Sequence, residues 1–328
     1  MPAAAATALR PVREDDVDAL ATLFRACFGM QVTSSYFHWK YWENPCGPVT
    51  GFVADAGDRL GGFYGVIPEP WSVGGVDVLV HQSMDTMTHP DFRRRGLFVA
   101  MAERTYDAIG ERLGDTVLVG IPGPESLPGF TSRLGWTVVH NFELIGLPAA
   151  RMALTRTPKG LTTETVRGHD ERVEAVLAAT PHVAPAWPRL TGTFFDWRVH
   201  GMSPKRFAVA LALERDEPVG VCVYCRSGPR STLIAHLAGV EGHPLARWAR
   251  PALRHAAAQA GGAVLYAWRP RGAELASVYS SLGFRANRLG RGPLRETRPL
   301  IARSDSGSVA GIDWTAADSF DVQALMQD

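Results

Sequence analysis

Lysine is scarce in this chain of 328 residues: it occurs only at Lys40, Lys159 and Lys205, and arginine supplies the rest of the 34 basic side chains. That bias fits a GC-rich genome more simply than a nucleic-acid partner, because 33 acidic residues bring the formal charge to +1. A chain so balanced has no global electrostatic reason to bind nucleic acid or a membrane surface. Its charge is uneven from Arg247 to Arg303, where eleven arginines stand against Glu274 and Glu296 and form a candidate basic face. Cysteine is sparse too. Cys27, Cys46, Cys222 and Cys225 are too few for a disulfide framework in a chain this long. Cys222 and Cys225 have C-x-x-C spacing, but Val221 to Tyr224 reads as strand, which turns residues three apart to opposite faces, so two ordinary thiols are expected. No apolar run is long enough to span a bilayer. The start, Met1 to Ala8, lacks the basic and apolar regions of a signal peptide, so the expected location is the cytoplasm, with no membrane partner.

What is present is apolar and repeated. With 46% hydrophobic and 20% charged residues the composition is globular, and the length favours two domains. Tyr36-Phe37-His38-Trp39-Lys40 returns 158 residues later as Phe194-Phe195-Asp196-Trp197-Arg198, and at the same shift Asp58 falls on Asp216 and Gly62 on Gly220. Arg133-Leu134-Gly135-Trp136 is echoed by Ser281-Leu282-Gly283-Phe284 at a shift of 148. Element type and order agree as well as letters, which marks a duplicated α+β unit. In the first copy the pattern predicts strands at Val49 to Asp55, Leu60 to Ile67 and Val76 to Thr88, a long helix after the last, and a short strand at Thr116 to Ile121. A brief helix ends at Gly135, and Trp136 to Ile145 is expected to close the first sheet. Residues 1–148 are the expected N-terminal domain, 149–163 a linker within the stretch Leu147 to Arg167 that holds Pro148, Pro158, Gly160 and five threonines, and 164–328 the second copy, with 311–322 its last strand or tail.

The most informative stretch is His89-Pro90-Asp91-Phe92-Arg93-Arg94-Arg95-Gly96-Leu97-Phe98, a basic turn that joins a strand to a helix. That helix carries Phe98, Met101, Ala102, Thr105, Tyr106, Ile109 and Leu113 on one face. A helix start presents unpaired N–H groups and the positive end of its dipole, and a glycine there lets a phosphate approach the backbone. Each arginine adds charge-assisted donors. An anion cradle and a solvated basic turn are both compatible with these residues.

The stretch resembles motif A of the GNAT superfamily of acyl-CoA-dependent N-acyltransferases, whose pattern is Gln or Arg, two residues, Gly, one residue, then Gly or Ala. Arg93 and Gly96 fill it, while Phe98 stands at the last, normally small, position and would turn its ring into the core. The Thr88 to Arg93 lead-in and the Gly-Leu-Phe that follows look like a bacterial subgroup. Together with the repeat, the resemblance implies an α+β chain of two tandem GNAT-like domains, each a mixed, mostly antiparallel sheet flanked by helices. It implies acetyl-CoA or another acyl-CoA as cosubstrate and no metal. Met87, Thr88 and His89 would offer main-chain bonds to pantetheine, and Arg93, Arg94, Arg95, Gly96, Leu97 and Phe98 would hold the pyrophosphate.

By the same resemblance the product is an amide on the amine of a small molecule, formed by direct attack in a ternary complex. Asp85, on the strand before the cradle, is the candidate base, and its other reading is a hydrogen-bond acceptor inside the sheet. His81 and His89 stand behind it. The family's acid is a tyrosine four residues before the glycine of a Leu-Gly-aromatic ending. That place holds Thr131 in the first copy and Tyr279 in the second, where a core tyrosine is the alternative. The second copy has Gly242-His243-Pro244-Leu245-Ala246-Arg247 where the arginines should stand, and so reads as a degenerate unit that shapes the acceptor pocket or supports the first. Two rival functions are an aminoacyl-tRNA-dependent, Fem-like transferase, for which the arginine-rich stretch would be the tRNA face, and a non-catalytic acyl-CoA-binding protein.

Overall fold

A computed structural model of the chain describes residues 7–287 and 296–327. The chain divides into two compact units that do not follow chain order: unit 1 is Met1–His140 with Pro299–Ala317, and unit 2 is Asn141–Arg298 with Asp318–Asp328. The first half runs β1 (Ala8–Pro11), α1 (Val17–Phe28), α2 (Ser34–Trp42), β2 (Thr50–Asp55), β3 (Leu60–Val73), β4 (Val76–Thr88), α3 (Leu97–Leu113), β5 (Val117–Gly120), α4 (Leu127–Arg133) and β6 (Thr137–Pro148). The second runs α5 (Ala150–Ala153), β7 (Leu161–Val166), α6 (Glu171–Ala178), β8 (Ala186–Pro188), α7 (Gly192–His200), β9 (Phe207–Glu214), β10 (Glu217–Arg226), β11 (Ser231–Gly239), α8 (Leu245–Ala260), β12 (Val264–Trp268), α9 (Ala273–Leu282) and β13 (Arg285–Ala286). Then follow β14 (Thr297–Ser304), β15 (Ser308–Val309) and β16 (Ile312–Asp313).

The two sheets have the same plan. Unit 1 pairs β1-β2-β3-β4-β5-β14, antiparallel except for β4 with β5. Unit 2 pairs β7-β9-β10-β11-β12-β6, antiparallel except for β11 with β12. The fold is therefore the expected one, mixed and mostly antiparallel sheet flanked by helices. Its sixth strands are exchanged. The sequence reading puts Trp136 to Ile145 on the edge of the first sheet, but β6 lays Leu144 to Pro148 against β12, and β14 takes the place beside β5. Alternation along a strand states which face is buried and is silent on which of two equivalent edges receives it. The segment 149–163 holds α5 and the start of β7.

Helix α3 shows why the sequence folds as it does. Leu97, Met101, Ala102, Thr105, Tyr106 and Ile109 recur every three to four residues and are all buried on the sheet. Each large apolar side chain so buried contributes roughly 1.5–3 kcal/mol. Leu113, expected on that face, stays 48% exposed, because Gly114 at φ 81 ends the helix there. Repeat-related glycines give the helices room. A Cβ on Gly62 would lie 2.8 Å from Met101 Cε, and one on Gly220 2.3 Å from the Trp248 indole.

Candidate functional site

Strand β4 is held on both sides only in part. It pairs with β5 at His81 to Ser83, opposite Leu118 to Gly120, and from Met84 onward keeps only β3 as a strand partner among the described residues. Two residues after the last of those pairs the register with β3 shifts, and Asp85 takes a φ of 42°. A bulge of this kind re-aims a side chain and frees backbone groups next to it. Asp85 turns toward α2. Its Oδ2 accepts from Lys40 Nζ at 2.6 Å and from Tyr41 OH at 2.8 Å, and Lys40 also donates to Tyr36 OH at 3.2 Å. Lys40 is 0% exposed, and a buried ammonium of that kind must be neutralised by a partner. Neutralising it is one definite task of Asp85.

The basic turn follows. His89 donates its N–H to Gly61 O at 3.0 Å, Arg93 Nε donates to Thr88 O at 3.4 Å, and Met87 is paired with Phe63 on β3, so all three residues expected to bind pantetheine already have intrachain partners on part of their main chain. Asp91 N–H donates to His89 Nδ1 at 3.2 Å inside a 3-10 turn over Pro90–Phe92. Arg94 and Gly96 both adopt left-handed backbone, at φ 62 and 75. Among the described residues, a Cβ on Gly96 would meet nothing within 4 Å and no side chain caps the N-terminus of α3. Arg93, Arg94, Arg95 and Gly96 are exposed. Arg95 is braced, donating to Asp91 O at 2.9 Å and lying 4.8 Å from the centre of the Phe92 ring. The start of α3 thus carries the polarity, charge and space that an anion requires.

Phe98 does not obstruct it. Its ring lies sideways, 5.1 Å from Phe130 and 6.0 Å from Tyr64, and a Cβ on Gly129 would be 2.5 Å from it. Gly129 therefore makes room for the large residue at the motif's last position.

His81 is 1% exposed, and burial, with the nearby Arg112 charge, pushes its pKa down to about 4. Tyr279 packs edge-on against Phe284 at 4.8 Å in the core of unit 2, and burial, followed by Cys222, raises its pKa well above the usual value. Thr131 donates to Leu127 O at 3.1 Å. Both thiols of the C-x-x-C spacing are buried, and burial pushes that of Cys225 up to about 11. Among the arginines of the basic stretch, Arg247, Arg269, Arg298 and Arg303 pair with carboxylates and Arg254 donates to Thr155 O. Arg288, Arg291 and Arg295 lie outside the described residues. Sequence reasoning missed Lys40 and Tyr41. The signal was available, since the aromatic helix motif carries a cation at its end in both copies.

The matching corner of unit 2 is built alike and filled differently. Strand β11 pairs with β12 through Leu233, and two residues later, at Ala235, its register with β10 shifts. There the edge of β11 is taken by Gln323, whose Oε1 accepts from Leu237 N–H and whose Nε2 donates to Leu237 O, both at 2.9 Å. At the start of α8, Leu245 N–H donates to Glu274 Oε1 at 3.3 Å. Arg198, the counterpart of Lys40, is 2% exposed and donates through Nε and Nη2 to Leu325 O, each at 3.1 Å.

Comparison with known proteins agrees with this architecture. Residues 8–139 match the family described as the acetyltransferase (GNAT) domain. A search of curated proteins found no significant match. Among solved structures, a probable N-acyltransferase from Enterococcus faecalis V583 superposes with a TM-score of 0.64 at 10% identity, over 90% of this chain and 72% of that one. N-myristoyltransferase of Saccharomyces cerevisiae with bound myristoyl-CoA gives 0.62 at 11% identity, over 92% and 83%. A tandem GNAT protein from the clavulanic acid biosynthesis pathway gives 0.62 at 14% identity, over 91% and 98%. At such identities these likenesses speak to the fold.

Proposed function

We propose, from the premise that this chain belongs to the GNAT superfamily and carries its GNAT domain at residues 8–139, that it is an N-acyltransferase moving an acyl group, acetyl foremost, from acyl-CoA to the amine of a small molecule. The observation that carries this reading is that, among the described residues, the start of α3 has no side-chain cap, three exposed arginines and open space at Gly96, beside a strand whose pairing with a second strand ends at Ser83. Backbone groups on such a strand need partners, and a pantetheine arm with two amides is a suitable one. Arg93, Arg94, Arg95 and the N–H groups of Leu97 and Phe98 would hold the pyrophosphate.

An acyl thioester supplies an activated carbonyl carbon. The acceptor has to arrive as a neutral amine; its nitrogen bonds to that carbon, the C–S bond breaks, and the proton leaving nitrogen has to find a base. Asp85 is the proposed base, directly or through water. Both of its hydrogen bonds to Lys40 and Tyr41 fall on Oδ2, so Oδ1 is the oxygen for the task. Tyr279, packed into the core of unit 2, has little support as the acid.

A thermal-shift series of acetyl-CoA, longer acyl-CoAs and free CoA, followed by a thiol-release assay against an amine panel, tests this. The expected result is stabilisation by the thioesters and thiol release with at least one amine. Stabilisation without release from any amine would favour a binding protein. No response to any thioester, with tRNA binding that falls steeply as salt rises, would favour the aminoacyl-tRNA reading.

A further inference from the structure

Unit 2 contains a cleft of about 610 Å³ among the end of β11, the Gly242–Pro244 turn, the start of α8 and the start of α9. This is the counterpart of the unit 1 cradle, but Gln323 already holds the strand edge and Glu274 the helix start. A nucleotide thioester therefore finds neither of its anchors free. What remains has mostly apolar walls, Val183, Leu190, Trp248, Leu275 and Val322 among them.

Polar groups converge on these walls. Asp321 Oδ2 accepts from His182 Nδ1 and from Val183 N–H, both at 3.2 Å, and the His182 ring lies flat on Trp187 at 3.6 Å, which fixes the carboxylate in place. His236 lines the same cleft, is only 9% exposed and has no hydrogen-bond partner among the described residues. Burial first, with His182 nearby and against the opposing pull of Asp321, pushes its pKa down to about 4, so it stands as a neutral imidazole with an acceptor lone pair. Glu241 and Glu274 add negative charge to the lining against Arg271. The Asp321 carboxylate and the neutral His236 imidazole, close to each other in a mostly apolar cleft, favour a cation with an apolar body.

We propose that this cleft is a second binding site, for a small amphipathic amine whose ammonium lies at Asp321 and His236 and whose apolar part lies along Trp248 and Leu275. The site is separate from the cradle of unit 1 and stands whether or not that cradle binds acyl-CoA.

Calorimetric titration of the full chain with hexylamine, hexan-1-ol and hexanoate tests it, because the three share one apolar body. Hexylamine is expected to bind about tenfold more tightly than hexan-1-ol, with hexanoate weakest. Asp321→Asn should remove the preference for the amine. Should that variant fail to fold, Leu275→Trp decides: it fills the cleft and should abolish hexylamine binding while leaving the acetyl-CoA thermal shift unchanged. Equal binding of the three probes, preference for hexanoate through Arg271, or hexylamine binding that survives Leu275→Trp would each overturn the proposal. Loss of the acetyl-CoA response with hexylamine binding intact would count against the unit 1 reading alone.

Discussion

Among the described residues, β4 of unit 1 has no second strand partner beyond Ser83 and the start of α3 at Leu97 has no side-chain cap beside its three exposed arginines, whereas in unit 2 the edge beyond Leu233 carries Gln323 and the helix start carries Glu274. Strand order and bulge position agree between the two, so the fold itself does not decide which corner takes a ligand. A side-chain amide on a strand edge and a carboxylate on a helix start make the same kinds of bond that an amide-rich, phosphate-bearing ligand would make. The buried cation of the repeat follows the same divergence. Lys40 neutralises Asp85 on the bulge, while Arg198, with Ala235 at that position, binds the tail at Leu325.

The largest effect is expected where that cation is removed. Lys40→Met leaves Asp85 without its ammonium partner and should cost about 3–5 kcal/mol in urea unfolding, with Lys40→Met/Asp85→Asn recovering a good part of the loss. Arg198→Met should instead loosen the tail, seen as faster proteolysis within 320–327, a change that Lys40→Met should not produce. Equal tail cleavage in both variants would break the contrast between the units.

Acid should act on both units through a buried histidine in each. His81 and His236 are held to about 4, below the usual 6.5, because burial disfavours their charged forms. The unfolded chain then binds more protons between those values, so this stability is complete above about pH 6.5 and is lost as pH falls toward 4, by up to about 3 kcal/mol per histidine. Melting temperatures recorded from pH 7 to 4.5 should fall less steeply for His81→Gln and for His236→Gln than for the unsubstituted chain. Parallel curves would mean that neither histidine is held neutral.

How much of this was legible in the sequence differs by the range of the interaction. The buried face of α3 and the stop at Gly135 were readable, because helix periodicity and a left-handed glycine are local, and Gly135 does adopt φ 70. Tyr36 to Lys40 and Phe194 to Arg198 exposed the duplication. The exchange of β6 and β14 was not readable, since both edges offer the same hydrogen-bonding pattern. Nor were Lys40 with Asp85, 45 residues apart, or Gln323 with Leu237, 86 apart, because polar partners at such separations leave no periodic trace.

A smaller effect separates the glycine slots. Gly220→Ala drives a Cβ to 2.3 Å from the rigid Trp248 indole and should cost about 1–3 kcal/mol, whereas Gly62→Ala meets the flexible tip of Met101 at 2.8 Å and should cost about 1 kcal/mol or less. Thermal unfolding of the two variants measures the difference. A reversed order would mean that α8 shifts on its sheet more easily than α3 does.

The smallest effect is the most telling about function. Arg95 is exposed and already oriented by Asp91 O and the Phe92 ring, so Arg95→Ala should leave stability nearly unchanged. As one of three arginines beside an uncapped helix start, it should contribute about 0.5–1.4 kcal/mol to acetyl-CoA binding, a weakening of roughly 2- to 10-fold by titration calorimetry. The stoichiometry of the same titration compares the units directly. One acetyl-CoA per chain is expected, because Gln323 and Glu274 already occupy the anchors in unit 2. A second equivalent, retained in Arg95→Ala but lost on filling the unit 2 cleft with Leu275→Trp, would mean that those side chains yield to a ligand, and that the two corners differ in affinity and not in kind.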